Sequence, residues 1–357
     1  VQVIILGDLH FGIKKFSLDF FENQMNFFDN QLFPYMINNG IRTIIQTGDF
    51  FDNRSNIDIN FLHIFRKRFM DKLVELDITL ITYLGNHCIY FKNTMVVNSS
   101  SILAELYPNN FRVIDTQQIL DIGSKQFGFV PWLLPDATID DKLLKQSDYV
   151  FGHLELSGFE ISKGVVDTHS KLSCSSFVEY KNIKIIFSGH YHIRNMTKLV
   201  KYVGIPYQCT WNDYTNSTGF HILDTTTDAL EFVENIRSKV YSKILYNGTI
   251  IMDDITISKE ELTKILFEKP NLIVKLYLYN LPLTEPIKDI IEILDQSTIS
   301  YTIIDNRSEQ ESIQESTELT AKVQLKTTDS FINDFIKEYH PELYDIYLAL
   351  IDKDYNE

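Results

Sequence analysis

Apolar and polar positions along this chain follow two alternating periods. Val1–Leu6 is a short apolar run stopped by Gly7, and residues 43–47 and 79–84 repeat the pattern. Runs of this length, bounded by glycine or polar turns, predict strands buried on both faces. Between them the period lengthens. Phe20, Phe21, Phe27, Phe28, Leu32 and Met36 recur over 18–39, after the capping residue Ser17 and before the stop at Gly40. This spacing predicts a helix that Pro34 kinks or shortens. Residues 58–76 read as a second helix. The order strand, helix, strand, helix, strand predicts parallel strands in a layered α/β fold.

Further on, a helix is expected over 95–107. Short strands follow at 112–114, 118–122, 126–130, 149–151, 184–187, 199–203, 220–223 and 230–233. The strand-rich layer closes near residue 234. Residues 235–305 read as a small separate α+β unit, with helices at 260–267 and 287–294 and strands at 272–278 and 301–304. Residues 306–328, which include NRSEQESIQEST, are polar enough for a linker. In 329–357 two short helices, 330–339 and 343–351, flank Pro341 and carry Phe331, Phe335, Tyr344, Tyr347, Leu348 and Ile351. Helices that short cannot bury such faces alone, so they are expected to dock on their own chain or on a partner.

The strand ends carry the candidate chemistry. GDLH (Gly7–His10), GDFFD (Gly48–Asp52), GNH (Gly85–His87), GH (Gly152–His153) and SGHYH (Ser188–His192) hold five of the chain's nine histidines. A parallel sheet lines its strand ends along one edge, where ligands bind. Asp8 with His10, and His190 with His192, are spaced to converge on a cation. Asn86 adds an amide oxygen and His153 an imidazole. Asp49 is the expected bridge, since its two oxygens can each meet a cation. Mixed oxygen and nitrogen ligands favour Mn²⁺, Fe²⁺ or Zn²⁺ over Mg²⁺ or Ca²⁺. Two such ions would activate a water for in-line attack on a phosphoryl group. His87 is then better kept as a proton donor to the leaving oxygen, oriented by Asp52.

Charge changes this picture in one respect. The chain carries a net −15, against an avid freestanding nucleic-acid binder. Residues 305–357 hold 13 acidic and 5 basic residues, so more than half the excess lies in the tail. Cys88, Cys174 and Cys209 form neither a metal pair nor an even framework, which suits a reducing compartment. No targeting segment and no membrane-spanning run is read, so a cytoplasmic location is expected.

Taken in order, the motifs resemble the calcineurin-like metallophosphoesterase superfamily. Within it, GDLHFG, QTGDFFDNR, LGNH followed by YFKN, GHLELSGF and SGHYH look like the SbcD-type nuclease subunit of a recombination and repair complex, most of all the form carried by T-even phages. The resemblance implies a layered β-sandwich flanked by helices, a small α+β DNA-capping domain and a C-terminal helical segment that binds an SbcC-type ABC ATPase. It implies Asp8, His10, Asp49 and His192 around one metal, and Asp49, Asn86, His153 and His190 around the other. Two divalent ions are implied, Mn²⁺ foremost with Mg²⁺ as the alternative. His87 would be the catalytic histidine. DNA is the implied substrate, cut 3′-to-5′ from duplex ends and internally in single strands. A homodimer through helices within 58–107 is also implied.

One position departs from the family: GNHC replaces the usual GNHD, putting Cys88 where an acid is expected. Two rivals follow. One is a phosphatase on the same scaffold; the other is a weakly active scaffold that recruits the ATPase.

Overall fold

The computed structural model describes residues 1–279, 287–297 and 299–305. The expected linker at 306–328 and helical segment at 329–357 lie outside the described residues. The chain forms two compact units, residues 1–276 with 286–303 and residues 277–285 with 304–357. Of the second, only residues 277–279 and 304–305 are described, as strand ends.

Two six-stranded sheets form the centre of the first unit. In one, Gln2–Leu6, Thr43–Gln46, Thr79–Tyr83 and Phe111–Ile114 run parallel. Gly219–Asp224 and Ala229–Glu234 extend it antiparallel beyond Gln2–Leu6. In the other, Lys125–Val130, Tyr149–Gly152, Ile185–Ser188 and Val200–Tyr202 run parallel. Gln118–Ile122 and Asn195–Met196 close its edges antiparallel.

The strand alternation explains the layers. Val3, Ile5, Ile45 and Ile81 point one way and meet Phe127, Phe129, Phe151 and Phe187 of the second sheet. Ile4, Leu6, Ile44 and Leu80 point the other way, into a helix-covered core rich in phenylalanine. The second sheet's outer face, with Val150, Ile186 and Val200, is covered by Leu143 and Leu144 of the helix Asp141–Gln146. Each fully buried large side chain contributes roughly 1.5–3 kcal/mol. The result is a layered α/β sandwich flanked by helices.

The helices differ from expectation in their detail. Residues 18–39 form Leu18–Phe27, a π-helical turn Phe28–Leu32, and Phe33–Asn38. Pro34 stands in the first turn of the last piece, where its missing N–H costs least. Residues 58–76 break likewise into Ile59–Phe65, a π turn Arg66–Met70 and Asp71–Glu75. The helix expected over 95–107 is only Ser101–Leu106. Upstream, Tyr90 N–H donates to the Val97 carbonyl and Ser99 N–H to that of Cys88. Asn98 Oδ1 accepts from the N–H groups of Ser100 and Ser101. These bonds compete with helix for the same backbone donors.

A separate five-stranded sheet contains Val240–Tyr246, Ile250–Met252, Ile255–Ile257, Leu272–Leu278 and Ser300–Asp305. The helices Lys259–Glu268 and Lys288–Gln296 belong to the same stretch of chain. Among the described residues, no helix is long and apolar enough to cross a membrane.

One buried histidine marks the first sheet. His221 pairs with Ile5 and Phe232 and is 1% exposed. Neither ring nitrogen has a hydrogen-bond partner among the described residues. Burial, helped by the Arg194 charge, lowers its pKa from 6.5 to about 3. The folded ring therefore stays neutral while the unfolded ring protonates below 6.5. Stability from this group is complete above pH 6.5 and falls as pH drops towards 3, by about 1.4 kcal/mol per unit. His221→Leu is expected to flatten that part of the acid limb in urea unfolding measured between pH 7 and 4. An unchanged slope would place the acid sensitivity elsewhere.

Candidate metal centre

The carboxyl ends of parallel strands from both sheets meet at one place. Gln2–Leu6 delivers Asp8 and His10, Thr43–Gln46 delivers Asp49 and Asp52, and Thr79–Tyr83 delivers Asn86 and His87. From the second sheet, Tyr149–Gly152 delivers His153 and Ile185–Ser188 delivers His190 and His192. All nine residues singled out in the sequence share this neighbourhood.

The backbone is bent hard to achieve it. His10, Asp49 and His190 hold φ of 45°, 48° and 82°. Non-glycine residues rarely adopt that region, and such strain gathers at functional sites. The glycines beside them make room. A Cβ on Gly85 would lie 2.1 Å from Asp49 Oδ1, and one on Gly48, itself at φ 97°, would lie 2.3 Å from His153 Nδ1. The glycine that begins each of these two motifs is therefore a clearance requirement.

Three donor groups converge, and one of them, His10, Asp52 and His87, lies towards the rim. Asp8, His10 and His192 form the second, with His10 Nε2 3.2 Å from His192 Nε2. Asp8, Asp49 and His153 form the third. Around it, His153 Nε2 lies 3.3 Å from Asp49 Oδ2 and 3.0 Å from Asn86 Oδ1, and His190 Nδ1 lies 3.2 Å from the same Asn86 oxygen. Asp8 Oδ2 also accepts the His190 N–H at 3.0 Å.

The electrostatics suit cations. His153 Nδ1 donates to the Thr47 carbonyl at 2.8 Å, so a neutral ring turns a bare Nε2 towards two further acceptors. Burial lowers the His153 pKa, but Asp49 and Asp8 outweigh it and raise it to about 9. Burial likewise opposes ionisation of Asp49, yet the facing His153, His10 and His87 hold its carboxyl well below the usual range. The cluster thus draws in a proton wherever no other positive charge is present. Buried His10 Nδ1 has no hydrogen-bond partner among the described residues. Two carboxylates, an amide oxygen and four imidazoles with lone pairs converging fit divalent ions of the Mn²⁺ or Zn²⁺ kind.

His87 sits at the rim, its side chain 38% exposed. Its N–H donates to Asp49 Oδ1 at 2.8 Å, and its Nδ1 donates to the main-chain carbonyl of Asp52 at 2.8 Å. The Asp52 carboxylate stands 4.0 Å from that nitrogen and is nearer to His10 Nδ1, at 3.2 Å, though off hydrogen-bond alignment. Asp52 therefore meets His87 through its backbone, where the sequence reading used its side chain. Cys88 is fully buried beside Leu84, Ile89 and Trp132. Burial, then the Asp49 charge, pushes its thiol up to about 12.

Three further neighbours complete the surroundings, Glu155 among them from within GHLELSGF. Asp213 Oδ1 lies 2.9 Å from His192 Nδ1, and Glu155 Oε1 lies 3.2 Å from His190 Nε2. Trp132 sets its ring 5.2 Å from that of His190. No spacing rule connects these to their histidines. A cleft of about 1190 Å³ opens beside His153 and His190, walled by Trp132, Leu133, Tyr180 and Tyr191.

The calcineurin-like phosphoesterase family model matches residues 1–194. Exonuclease subunit 1 of Enterobacteria phage T4 is 32% identical over 238 residues, covering 66% of this chain and 68% of that protein. Among solved structures, an archaeal phosphodiesterase covers 66% of this chain and 99% of its own at 14% identity and a TM-score of 0.34. An Aquifex aeolicus protein covers 55% and 82% at 14% identity and a TM-score of 0.25. Scores of that size establish no residue correspondence. More than half the chain matches the family model, and its motif residues converge on one cluster that could hold metal ions: the chain belongs to the calcineurin-like phosphoesterase family, as a metal-dependent phosphodiesterase.

Proposed function

We propose that this protein is the nuclease subunit of a DNA recombination and repair complex. The observation that carries the reading is the cleft beside His153 and His190, about 1190 Å³ and open to solvent. Its walls include Trp132, Leu133 and Tyr180 besides those two histidines, so it admits a substrate larger than its reacting phosphate. The likeness to a phage exonuclease subunit supports the same reading and, through the word subunit, a partner.

In this reading Asp8, His10, Asp49 and His192 hold one cation, and Asp49, Asn86, His153 and His190 the other, Mn²⁺ foremost. When bound, such ions supply an activated water and positive charge at the phosphoryl oxygens. The residues do the rest. Asp49 fixes the spacing of the two groups and holds the GNH turn through the His87 N–H. His87 keeps Nδ1 on the Asp52 carbonyl, so Nε2 is the nitrogen turned outward to give a proton to the leaving oxygen. Trp132 and Tyr180 of the cleft offer faces for unpaired bases. Cys88 packs in an apolar cluster and leaves the orientation of His87 to Asp52, which speaks against the weakly active scaffold.

The substrates are DNA, resected 3′-to-5′ from duplex ends and cut internally in single strands. Residues 235–305 cap the DNA, 306–328 link, and 329–357 bind an SbcC-type ATPase. Helices within 58–107 pair two copies, and the complex works in the cytoplasm of the host cell. Purified protein with Mn²⁺ should release nucleotides from end-labelled duplex DNA. No release with or without the ATPase, alongside rapid hydrolysis of phosphomonoesters, would establish the phosphatase instead.

A further inference from the structure

Among the site's histidines, His192 stands out for the acid behind it. That acid, Asp213, is 2% exposed and ends a short turn, Trp211–Asp213, 21 residues further along the chain. Its Oδ2 accepts from Cys209 N–H at 3.0 Å, Thr210 N–H at 2.7 Å and Thr210 Oγ1 at 3.1 Å. Its Oδ1 meets His192 Nδ1 at 2.9 Å. A carboxylate only accepts, so the proton between them belongs to the imidazole. His192 is thereby confined to the Nδ1–H form, with the Nε2 lone pair directed at His10 Nε2, 3.2 Å away.

The turn itself is clamped. The Trp211 ring lies 4.5 Å from the Tyr241 ring, on the strand Val240–Tyr246 of the five-stranded sheet. Lys275 Nζ covers the Trp211 ring at 4.2 Å, and Lys14 Nζ lies 5.1 Å from the Tyr241 ring centre. Lys14 belongs to the segment just after His10. Two sides of the same metal group are thus braced against one sheet.

We propose that Asp213 is a positioning residue that sets the tautomer and aim of His192 for its cation, from a turn that the five-stranded sheet holds in place. Partners of a ligating imidazole that fix its second nitrogen typically change metal affinity 10- to 100-fold. The proposal rests on His192 being a cation ligand, so its test includes a measurement that needs no metal.

Asp213→Asn is the informative change. The three donors on the Oδ2 side retain the amide oxygen there, so the amide NH₂ must face His192. Nδ1 then accepts, the proton moves to Nε2, and an N–H points at the cation position. The same isosteric reversal of tautomer disables the histidine of a serine-protease triad. In metal-free protein, ¹⁵N imidazole shifts should report Nδ1–H for His192 in the parent and Nε2–H in the variant. Mn²⁺ titration should show one of two ions bound 10- to 100-fold more weakly in the variant, with the unfolding midpoint little changed. An Nε2–H tautomer in the parent overturns the proposal, even if the variant fails to fold. So does unchanged Mn²⁺ affinity in a folded variant. If the tautomers behave as stated but the parent binds no Mn²⁺, the reading of the metal centre fails instead.

Discussion

Replacing Asp49 by asparagine is expected to reduce Mn²⁺-dependent DNA hydrolysis by at least about 10²–10³-fold, the scale on which removing one electrostatic element of an active site is felt. The change is conservative in shape. Asparagine tolerates the φ of 48° that this position adopts, and its amide oxygen can still accept the His87 N–H. What it removes is the negative charge that faces His153, His10 and His87, together with the second oxygen that could serve a second ion. Calorimetric titration should therefore find one Mn²⁺ per chain retained and the other weakened. The metal-free variant should also release His153 from its raised pKa, since Asp49 is the foremost group raising it. Two tightly bound ions and full activity in Asp49→Asn would move the bridging role to another carboxylate. Asp8, which stands in two of the three donor groups, is the first alternative.

His87→Gln is expected to lower kcat by about 10²–10⁴-fold while both ions stay bound. The residue lies at the rim and meets the candidate ligands through its backbone N–H on Asp49 and, edge-on, through its ring 5.0 Å from that of His10. The leaving group offers the sharper discrimination. A DNA phosphodiester expels an alkoxide, which needs a proton; a p-nitrophenyl diester expels a stable phenolate, which does not. The variant should therefore lose far less activity on the p-nitrophenyl ester of a nucleotide than on DNA. Equal losses on both substrates would assign His87 to charge stabilisation or to shaping the loop. Loss of Mn²⁺ binding would place it among the ligands.

Much of the candidate centre is legible in the sequence because its chemistry is concentrated where strands stop. Asp8, His10, Asp49, Asn86, His153, His190 and His192 each follow a short apolar run, and parallel pairing brings such ends together. The helices were legible in place but not in winding. Phe28–Leu32 and Arg66–Met70 take a π turn that no residue type announces, because the extra residue is selected by how both helices seat in a shared aromatic core. The hairpin Val240–Tyr246 to Ile250–Met252 went unread, although Asn247–Gly248 is a turn signal, because its flanks mix lysine and serine with apolar residues. Asp213 and Glu155 were out of reach for a different cause. Each acts on a histidine distant in sequence: Asp213 looks like any solvated acid until the fold encloses it, and Glu155, inside GHLELSGF, stays exposed even beside His190.

The phenylalanine core has a consequence for how such a protein can change over generations. Phe11 follows His10 directly, and Phe50 and Phe51 follow Asp49; all three are at most 1% exposed. The Phe11 ring touches those of Phe21, Phe28, Phe50, Phe65 and Phe69 at centroid distances of 4.8–6.1 Å. Ligand loops and helix core are thus one packed object. Drift that loosens the core also loosens the aim of His10 and Asp49, so heritable variation in rate and in heat tolerance arises at the same codons. Substitutions among these rings must be accepted in compensating groups.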